Sequence, residues 1–513
     1  MNILMVYPKY PETFWSFKHA LRFISKKAAF PPLGLLTVAS FLPESWQKRL
    51  IDLNITEITD KDIAWADMVF ISGMLVQKDS IDEIIERCKS QKKTIVAGGP
   101  AFMARPDQFP DVDHLVLAEA EMTLPWFLED LEQGHPKPVY DTDKRPDITQ
   151  TPLPMWSLID MKKYATMPIQ YSRGCPFNCE FCDIIIMNGR KPRTKTPEQM
   201  VAEFQALYDA GWRSGIFIVD DNFIGNKRNV RKMLPEVIKW QRDKKYPFTL
   251  LTEASVNLAD DQELMDMMTA ANFNKVFLGL ETPCMESLKE CGKTQNTRRD
   301  LREVVQIIHH NGMQVMAGFI LGFDHDTETI FESQIKFIQQ IGVVTAMVGI
   351  LGAIPKTRLW NRLKAEGRLL RDSSGDNTDG SVNFIPIMGI NRLLQGYQRV
   401  ITTIYSPREY YERIHTFVRN YQPKAKCHLS REDVIALLKS IWSIGIFSKS
   451  NFLYWKLVLK TSCTKLRAVP AAIELAIYGY HFERVAKRAQ TAIQKSKDYY
   501  DQFSTHELIN GPS

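Results

Sequence analysis

Short apolar runs alternate with stretches of helical spacing from the N-terminus to Ile354, and this alternation excludes most folds. Strands joined by helices build parallel sheets with helices on their faces. The runs fall into two series. The first contains NILMVYP (2–8), LIDLN (50–54), MVFISGM (68–74), TIVAGGP (94–100) and DHLVLAEAE (113–121). Between the third and fourth runs, SIDEIIERCKSQKK reads as an amphipathic helix with Ile81, Ile84 and Ile85 on one face. Residues 1–135 therefore predict a doubly wound, Rossmann-like α/β domain. Residues 136–165 are rich in Pro, Asp and Lys, show no periodicity, and read as a linker.

The second series contains PIQYS (168–172), GIFIVDD (215–221), FTLLTEA (248–254), KVFLGLE (275–281), QVMAGFILGFD (314–324) and VTAMVGILGAI (344–354). Thr196, Pro197 and Gln199 form an N-terminal capping box for one of the intervening helices. Six βα units predict a partial (β/α)6 relative of the TIM barrel over residues 166–390, with its functional loops at the carboxyl ends of the strands. Residues 391–513 read as a mainly helical C-terminal region. A chain of 513 residues needs several cores, in keeping with this division. The net charge of +6 is small for the length and does not argue for nucleic acid. The longest apolar stretch, Ile341 to Ile354, is too short to cross a bilayer, and the start of the chain reads as a strand, so a cytoplasmic location is expected.

Eight cysteines are present, and three of them fall in Cys175-Pro-Phe-Asn-Cys179-Glu-Phe-Cys182, directly after the strand PIQYS. That clustering indicates a metal site, not a disulfide framework. Three thiolates can hold three irons of a [4Fe–4S] cluster and leave the fourth open to a chelating ligand. Structural zinc would want a fourth ligand, and no His or Cys stands nearby in sequence to supply one. Cys284 and Cys291, seven residues apart, are the weaker candidates for a second cluster. Cys88 reads as a buried helix residue, and Cys427 and Cys463 as solitary thiols.

The C-x3-C-x2-C motif with Phe181 before its last cysteine resembles the signature of the radical S-adenosylmethionine (SAM) superfamily. The resemblance implies reductive cleavage of SAM to methionine and a 5′-deoxyadenosyl radical. Strand-end residues then become candidates for the SAM pocket: Asp220, Asp221, Asn222, Glu253, Gly279, Glu281, Gly318 and Gly322. Carboxylates there can accept from the SAM ammonium or ribose, and glycines let backbone approach the adenine. Such carboxylates are also commonly caps or ion-pair partners.

FPPLG (30–34), ISGM (71–74), AGGP (97–100) and LAEAE (117–121) resemble the cobalamin-binding domain of class B radical SAM methylases. By that resemblance Ser72, Gly73, Gln77, Gly98, Gly99, Pro100, Glu119 and Glu121 contact the corrin. The D-x-H-x-x-G motif is absent, which implies cobalt without a histidine from that loop. Relatives often carry Gly where Ala118 stands, and Pro-Gly-Thr where this chain has Pro355-Lys356-Thr357. GRKPRTKTPEQ (189–199), VDDNFIGN (219–226), ILGFDHDT (320–327), EGRL (366–369) and ITTIYSPREYYERI (401–414) are similar to the group that includes the hopanoid C-2 methylases.

The implied activity is methyl transfer from methylcobalamin to an unactivated carbon of a small apolar substrate, with isoprenoid lipids as one class and a flavodoxin or ferredoxin as electron donor. Two rivals stay open: a cyclase or C–C bond-forming enzyme with the same cofactors, and a corrinoid-binding sensor or carrier with a structural cluster. The C-terminal region is expected to close the open side of the barrel, with the Tyr-rich stretch 405–421 and the basic aromatic segment 442–467 facing an apolar substrate. Residues 424–497 carry fourteen Lys or Arg against four Asp or Glu, which suits either peripheral contact with the inner membrane face or a solvated surface over a helical core.

Overall fold

The computed structural model describes residues 1–376, 378–426 and 430–502, so Cys427 lies outside the described residues. The N-terminal sheet contains β1 (Asn2–Tyr7), β2 (Gln47–Asp52), β3 (Met68–Ser72), β4 (Thr94–Gly98), β5 (His114–Val116) and β6 (Val139–Tyr140), all parallel, in the order β2-β1-β3-β4-β5-β6. The order reverses between β1 and β3, the place where open α/β sheets bind ligands. Both faces are covered, which is why Ile3–Val6 reads as an unbroken apolar run and is fully buried. The helix Lys78–Ser90 buries Ile81, Ile84, Ile85 and Cys88, as its spacing predicts.

Two details differ from the sequence reading. The strand expected over 113–121 stops at Val116, because Ala118 takes a left-handed conformation (φ 58°) and the helix Ala120–Glu132 begins two residues later. The linker contributes β6, whose two residues gave no periodic signal.

A second sheet follows: β7 (Met167–Ile169), then, after a short antiparallel pair β8 (Ser172–Arg173) and β9 (Arg193–Thr194), the strands β10 (Ile216–Ile218), β11 (Leu250–Ala254), β12 (Phe273–Glu281), β13 (Gln314–Leu321) and β14 (Ala346–Ile350). The six long-range strands are parallel in the order β7-β10-β11-β12-β13-β14, a partial barrel open between β7 and β14. The capping box forms as predicted: Thr196 Oγ1 accepts from Gln199 N at 3.2 Å and Gln199 Oε1 accepts from Thr196 N at 2.9 Å.

C-terminal helices lie against the β14 side. Tyr397 Oη donates to Val348 O at 3.1 Å and Tyr405 Oη to Ala346 O, so hydroxyls satisfy carbonyls of an edge strand that has no further strand to pair with. The helix Val469–Tyr500 brings Phe482 to Phe14 and Tyr405, with ring centroids 5.9 Å and 5.4 Å away, and pairs Glu474 with Lys275 of β12. Barrel and C-terminal helices thus share one apolar core. The expectation that the Tyr-rich stretch faces a substrate is corrected: Tyr405, Tyr410, Tyr411 and Tyr421 are buried in that core. Among the described residues, no helix is long and apolar enough to cross a membrane.

Candidate active site between two carboxyl edges

The carboxyl edges of the two sheets face one another. Glu119, just after β5, accepts from Arg173, which follows β7. Lys356, beyond β14, donates from Nζ to Met103 O at 2.8 Å, and Gln108 Nε2 reaches Asp372 at 2.9 Å. Everything held on the loops of either edge therefore borders the same space.

The cysteine loop is shaped from several sides. Gly174 sits at φ 98°, and a Cβ there would lie 2.9 Å from Gly189 O and 3.0 Å from Lys191 O, so only glycine fits. Asp221 accepts from Gly174 N at 2.7 Å and from Asn188 Nδ2 at 2.9 Å. Glu180, inside the motif, is gripped bidentately by Arg362 at 2.8 and 3.1 Å, and its N–H donates to Cys291 O at 2.8 Å. Burial pushes the Cys175 and Cys182 thiols up, and mutual repulsion with Cys179 adds to the shift. Asn222 Nδ2 and Gln295 Nε2 each stand 3.9 Å from a sulfur, of Cys175 and Cys179 respectively.

This donor set fits a cluster. Three thiols share one preformed loop, amide donors approach two of them, and metal binding would deprotonate all three. Among the described residues no group of three His, Cys, Asp or Glu side chains is placed to hold a single metal ion. The thiol of Cys284 turns to Glu286 and that of Cys291 to Leu288 O, so these two point to separate partners.

The expected SAM-pocket residues divide into two groups. Asp220 is buried, accepts from Tyr171 N at 2.8 Å and Ser172 Oγ at 2.6 Å, and burial pushes its carboxyl up to about 7. It ties β10 to the start of the cysteine loop. Asn222 Oδ1 accepts from Ser255 N at 3.2 Å. Glu253 is different: among the described residues no donor lies within hydrogen-bond reach, and burial, then the Asp221 and Asp220 charges, push it up to about 8. Glu281, at φ 63°, is paired with Lys293, whose Nζ also stands 5.9 Å from the Phe181 ring. Gly279 leaves room for that ion pair, and a Cβ on Gly318 would lie 3.4 Å from the Phe277 ring. Gly322 answers a packing need, since a Cβ there would lie 2.9 Å from Leu393 of the helix Ile390–Ile404.

On the facing edge, the loops after β3 and β4 interlock. Gly99, at φ 96°, leaves no room for a Cβ beside Ser72 Oγ, Gly98 lies against Val116 O, and Ala101 N donates to Gly73 O at 3.0 Å. Gly73 accommodates Ile81, and Pro100 opens the helix Pro100–Ala104. Gln77 is buried, with Oε1 accepting from Met74 N at 2.9 Å and Nε2 donating to Pro8 O. The result is a rim of small residues and backbone at the carboxyl ends of β3 and β4, its glycines required by close packing within the rim. The glutamates expected at the corrin are committed elsewhere. Glu119 accepts from Arg173 at 2.8 Å and from Arg193 at 2.7 and 3.0 Å, and Glu121 from Arg173 at 2.8 Å and Thr151 at 2.6 Å.

Sequence reasoning passed over Arg173, Arg193, Glu180, Arg362, Lys293 and Gln295. Arg173 and Glu180 were within reach, being part of the cysteine motif or two residues before it; their partners are distant in the chain.

Comparison with known proteins places this geometry. The radical SAM superfamily matches residues 169–338, and a domain of unknown function, DUF4070, matches residues 357–495. The chain is 41% identical to an uncharacterized methyltransferase of Synechocystis sp., over 100% of this chain and 98% of that one. It is 35% identical to the hopanoid C-2 methylase of Rhodopseudomonas palustris, over 90% of this chain and 89% of that one. The cobalamin-dependent SAM radical enzyme OxsB, solved with aqua-cobalamin and SAM, superposes with a TM-score of 0.61 at 14% identity, over 99% of this chain and 82% of that one, and so shares the fold. Partial barrel and cysteine loop together define a radical SAM enzyme. Within that superfamily, the chain belongs to the methyltransferase family that includes the hopanoid C-2 methylase.

Proposed function

We propose that this enzyme transfers a methyl group from cobalamin to an unactivated carbon of a small apolar substrate, of the isoprenoid lipid class. The observation that carries the reading is the opposition of the cysteine loop to the small-residue rim of the N-terminal sheet. Bound at these two edges, a [4Fe–4S] cluster would supply the electron that cleaves SAM, and cobalamin would supply the methyl group. Cys175, Cys179 and Cys182 would hold three irons, and a flavodoxin or ferredoxin would deliver electrons. Glu253, a raised carboxyl with no partner at the barrel mouth, suits the SAM ammonium, whose charge would relieve the three-carboxylate cluster of Asp220, Asp221 and Glu253. The Lys293–Glu281 pair fixes the floor beside Phe181. Ser72–Gly73 and Gly98–Pro100 would border the corrin, while Glu119 and Glu121 hold the two edges in register. Similarity to the hopanoid C-2 methylase of Rhodopseudomonas palustris supports the lipid class.

The test combines cofactor loading with product counting. Anaerobically reconstituted protein should bind about four irons, and changing all three cysteines to Ala should abolish the brown chromophore. Extracts of a strain carrying the gene should contain a lipid heavier by one CH2 than its counterpart in a strain lacking it. Purified enzyme given that acceptor should form S-adenosylhomocysteine together with 5′-deoxyadenosine. Formation of 5′-deoxyadenosine together with a rearranged, unmethylated product and no S-adenosylhomocysteine would establish the cyclase rival instead.

A further inference from the structure

Two helices near the C-terminus turn apolar side chains toward solvent as well as toward the core. The helix Arg431–Ser440 buries Ala436 and Ser440, and the helix Asn451–Thr464 buries Tyr454, Leu457 and Thr461. At 3.6 residues per turn, the opposite face of the second helix carries Phe452, Trp455 and Leu459, and that of the first carries Val434, Ile435 and Leu438. Phe452 is 75% exposed, and Leu438, Trp442, Phe447, Leu459 and Leu466 are 61–71% exposed. Large apolar side chains scattered singly need no explanation; this many on adjoining helices do. The two helices are joined through a π-helical turn, Ile441–Ile446, where the Trp442 and Phe447 rings meet at 4.9 Å. Trp455 Nε1 donates to Gly445 O at 3.0 Å, so turn and second helix are fixed as one surface.

Basic side chains predominate around this surface: Glu432 and Asp433 open the first helix, where Glu432 pairs with Lys26 at 2.7 Å and Asp433 accepts from Ser430 N at 2.8 Å, and Glu412 stands 3.7 Å from Lys456. From Val434 to Ile473 there is no Asp or Glu, while Lys439, Lys449, Lys456, Lys460, Lys465 and Arg467 all fall in that span. Lys456 and Lys460 stand at the flank of the Phe452–Leu459 face, where cations meet headgroups while the apolar face enters the acyl boundary. A second copy of the chain docking face to face would bring these same cations together. Neither helix is long and apolar enough to span a bilayer.

We propose that residues 431–467 form an interfacial anchor that lays this apolar face into an anionic membrane surface. The inference stands on exposure and charge, and it is independent of which reaction the site performs. Full-length protein, loaded with its cofactors, is floated with vesicles of phosphatidylcholine alone or with added phosphatidylglycerol. Binding to the anionic vesicles is expected, weakened by salt, and lower by at least ~100-fold in F447S/F452S/L459S. These side chains are exposed, so the variant should keep its cluster content and thermal transition. Tryptophan fluorescence should be quenched by brominated lipid through Trp442 and Trp455, a signal lost in W442F/W455F. Failure of the well-folded protein to float, or equal flotation of the triple variant, overturns the proposal. So does a dimer in light scattering that the triple variant dissociates, because the surface would then belong to a second copy.

Discussion

Changing Glu119 to Gln tests whether buried charge, and not apolar contact alone, sets the register of the two sheets. Glu119 is 7% exposed and takes three charge-assisted hydrogen bonds of 2.7–3.0 Å from Arg173 and Arg193. The neutral amide keeps one acceptor oxygen but turns a donor toward an arginine. Arg173 retains Glu121, whereas Arg193 loses one of its two bonds to residue 119 and keeps the carbonyls of Pro146 and Asn188, at 2.8 and 3.1 Å. Removing one partner of a buried ion pair costs about 3–5 kcal/mol, and the second acceptors available here put Glu119→Gln near the lower end. The loss has a local address as well. Arg173 adjoins Gly174 and Cys175, and Arg193 holds Asn188, whose amide contacts Asp221, so the cysteine loop should loosen with the docking. Urea denaturation of the cofactor-loaded protein reads the stability, limited proteolysis in 136–165 reads the docking, and iron content after gel filtration reads the loop. The exposed Glu86→Gln is the control. If Glu119→Gln shifts the urea midpoint no more than Glu86→Gln and keeps its iron, the network contributes nothing and the argument fails.

Three further outcomes follow from the same geometry. Glu253, raised from 4.5 to about 8, binds more protons folded than unfolded across that interval, so its contribution makes SAM-free protein less stable as pH rises from 4.5 to 8. Glu253→Gln should remove that dependence in pH-resolved melts, stabilise by roughly 1–3 kcal/mol above pH 8, and weaken SAM binding; an unchanged slope would refute it. Lys356 sits at φ 70°, so Lys356→Gly should be more stable than Lys356→Ala by about 1 kcal/mol in chemical denaturation, although both lose the bond to Met103 O. Tyr397→Phe should cost about 1 kcal/mol by leaving Val348 O on the edge strand without that donor, a change visible as faster amide exchange along β14 and absent if water replaces the hydroxyl.

All strands of both sheets but the two-residue β6 were legible, because parallel strands buried on both faces must be short, continuous and apolar, and the capping box and cysteine spacing are local signals. What is local in sequence was read; what is made by distant partners was not. Asp220, Asp221 and Asn222 were picked out together as one strand end, yet they serve three directions: Tyr171 and Ser172, the cysteine loop from Gly174, and Ser255. Glu119 and Glu121 looked like ligand contacts because nothing in LAEAE announces Arg173 and Arg193. The Tyr-rich stretch 405–421 looked like a substrate wall, but its hydroxyls find backbone partners, Ala346 O for Tyr405 and Leu475 O for Tyr410 at 2.9 Å, and a paired tyrosine can be buried as readily as a phenylalanine.

The two positions where the sequence departs from glycine-bearing relatives show how much a residue type can reveal once the backbone is known. Ala118 has φ 58° and Lys356 has φ 70°, the left-handed region in which glycine alone is unstrained. Each stands on a loop at one of the two facing edges, Ala118 just before Glu119 and Lys356 opposite Met103. A side chain at such a position costs about 1–2 kcal/mol unless something holds it. At Lys356 the holding contact is visible, since its ammonium reaches across to the carbonyl of the opposite domain. At Ala118 the arginines gripping Glu119 fix the next residue and with it the turn. Both departures therefore trade local backbone ease for contacts that fix the separation of the two carboxyl edges.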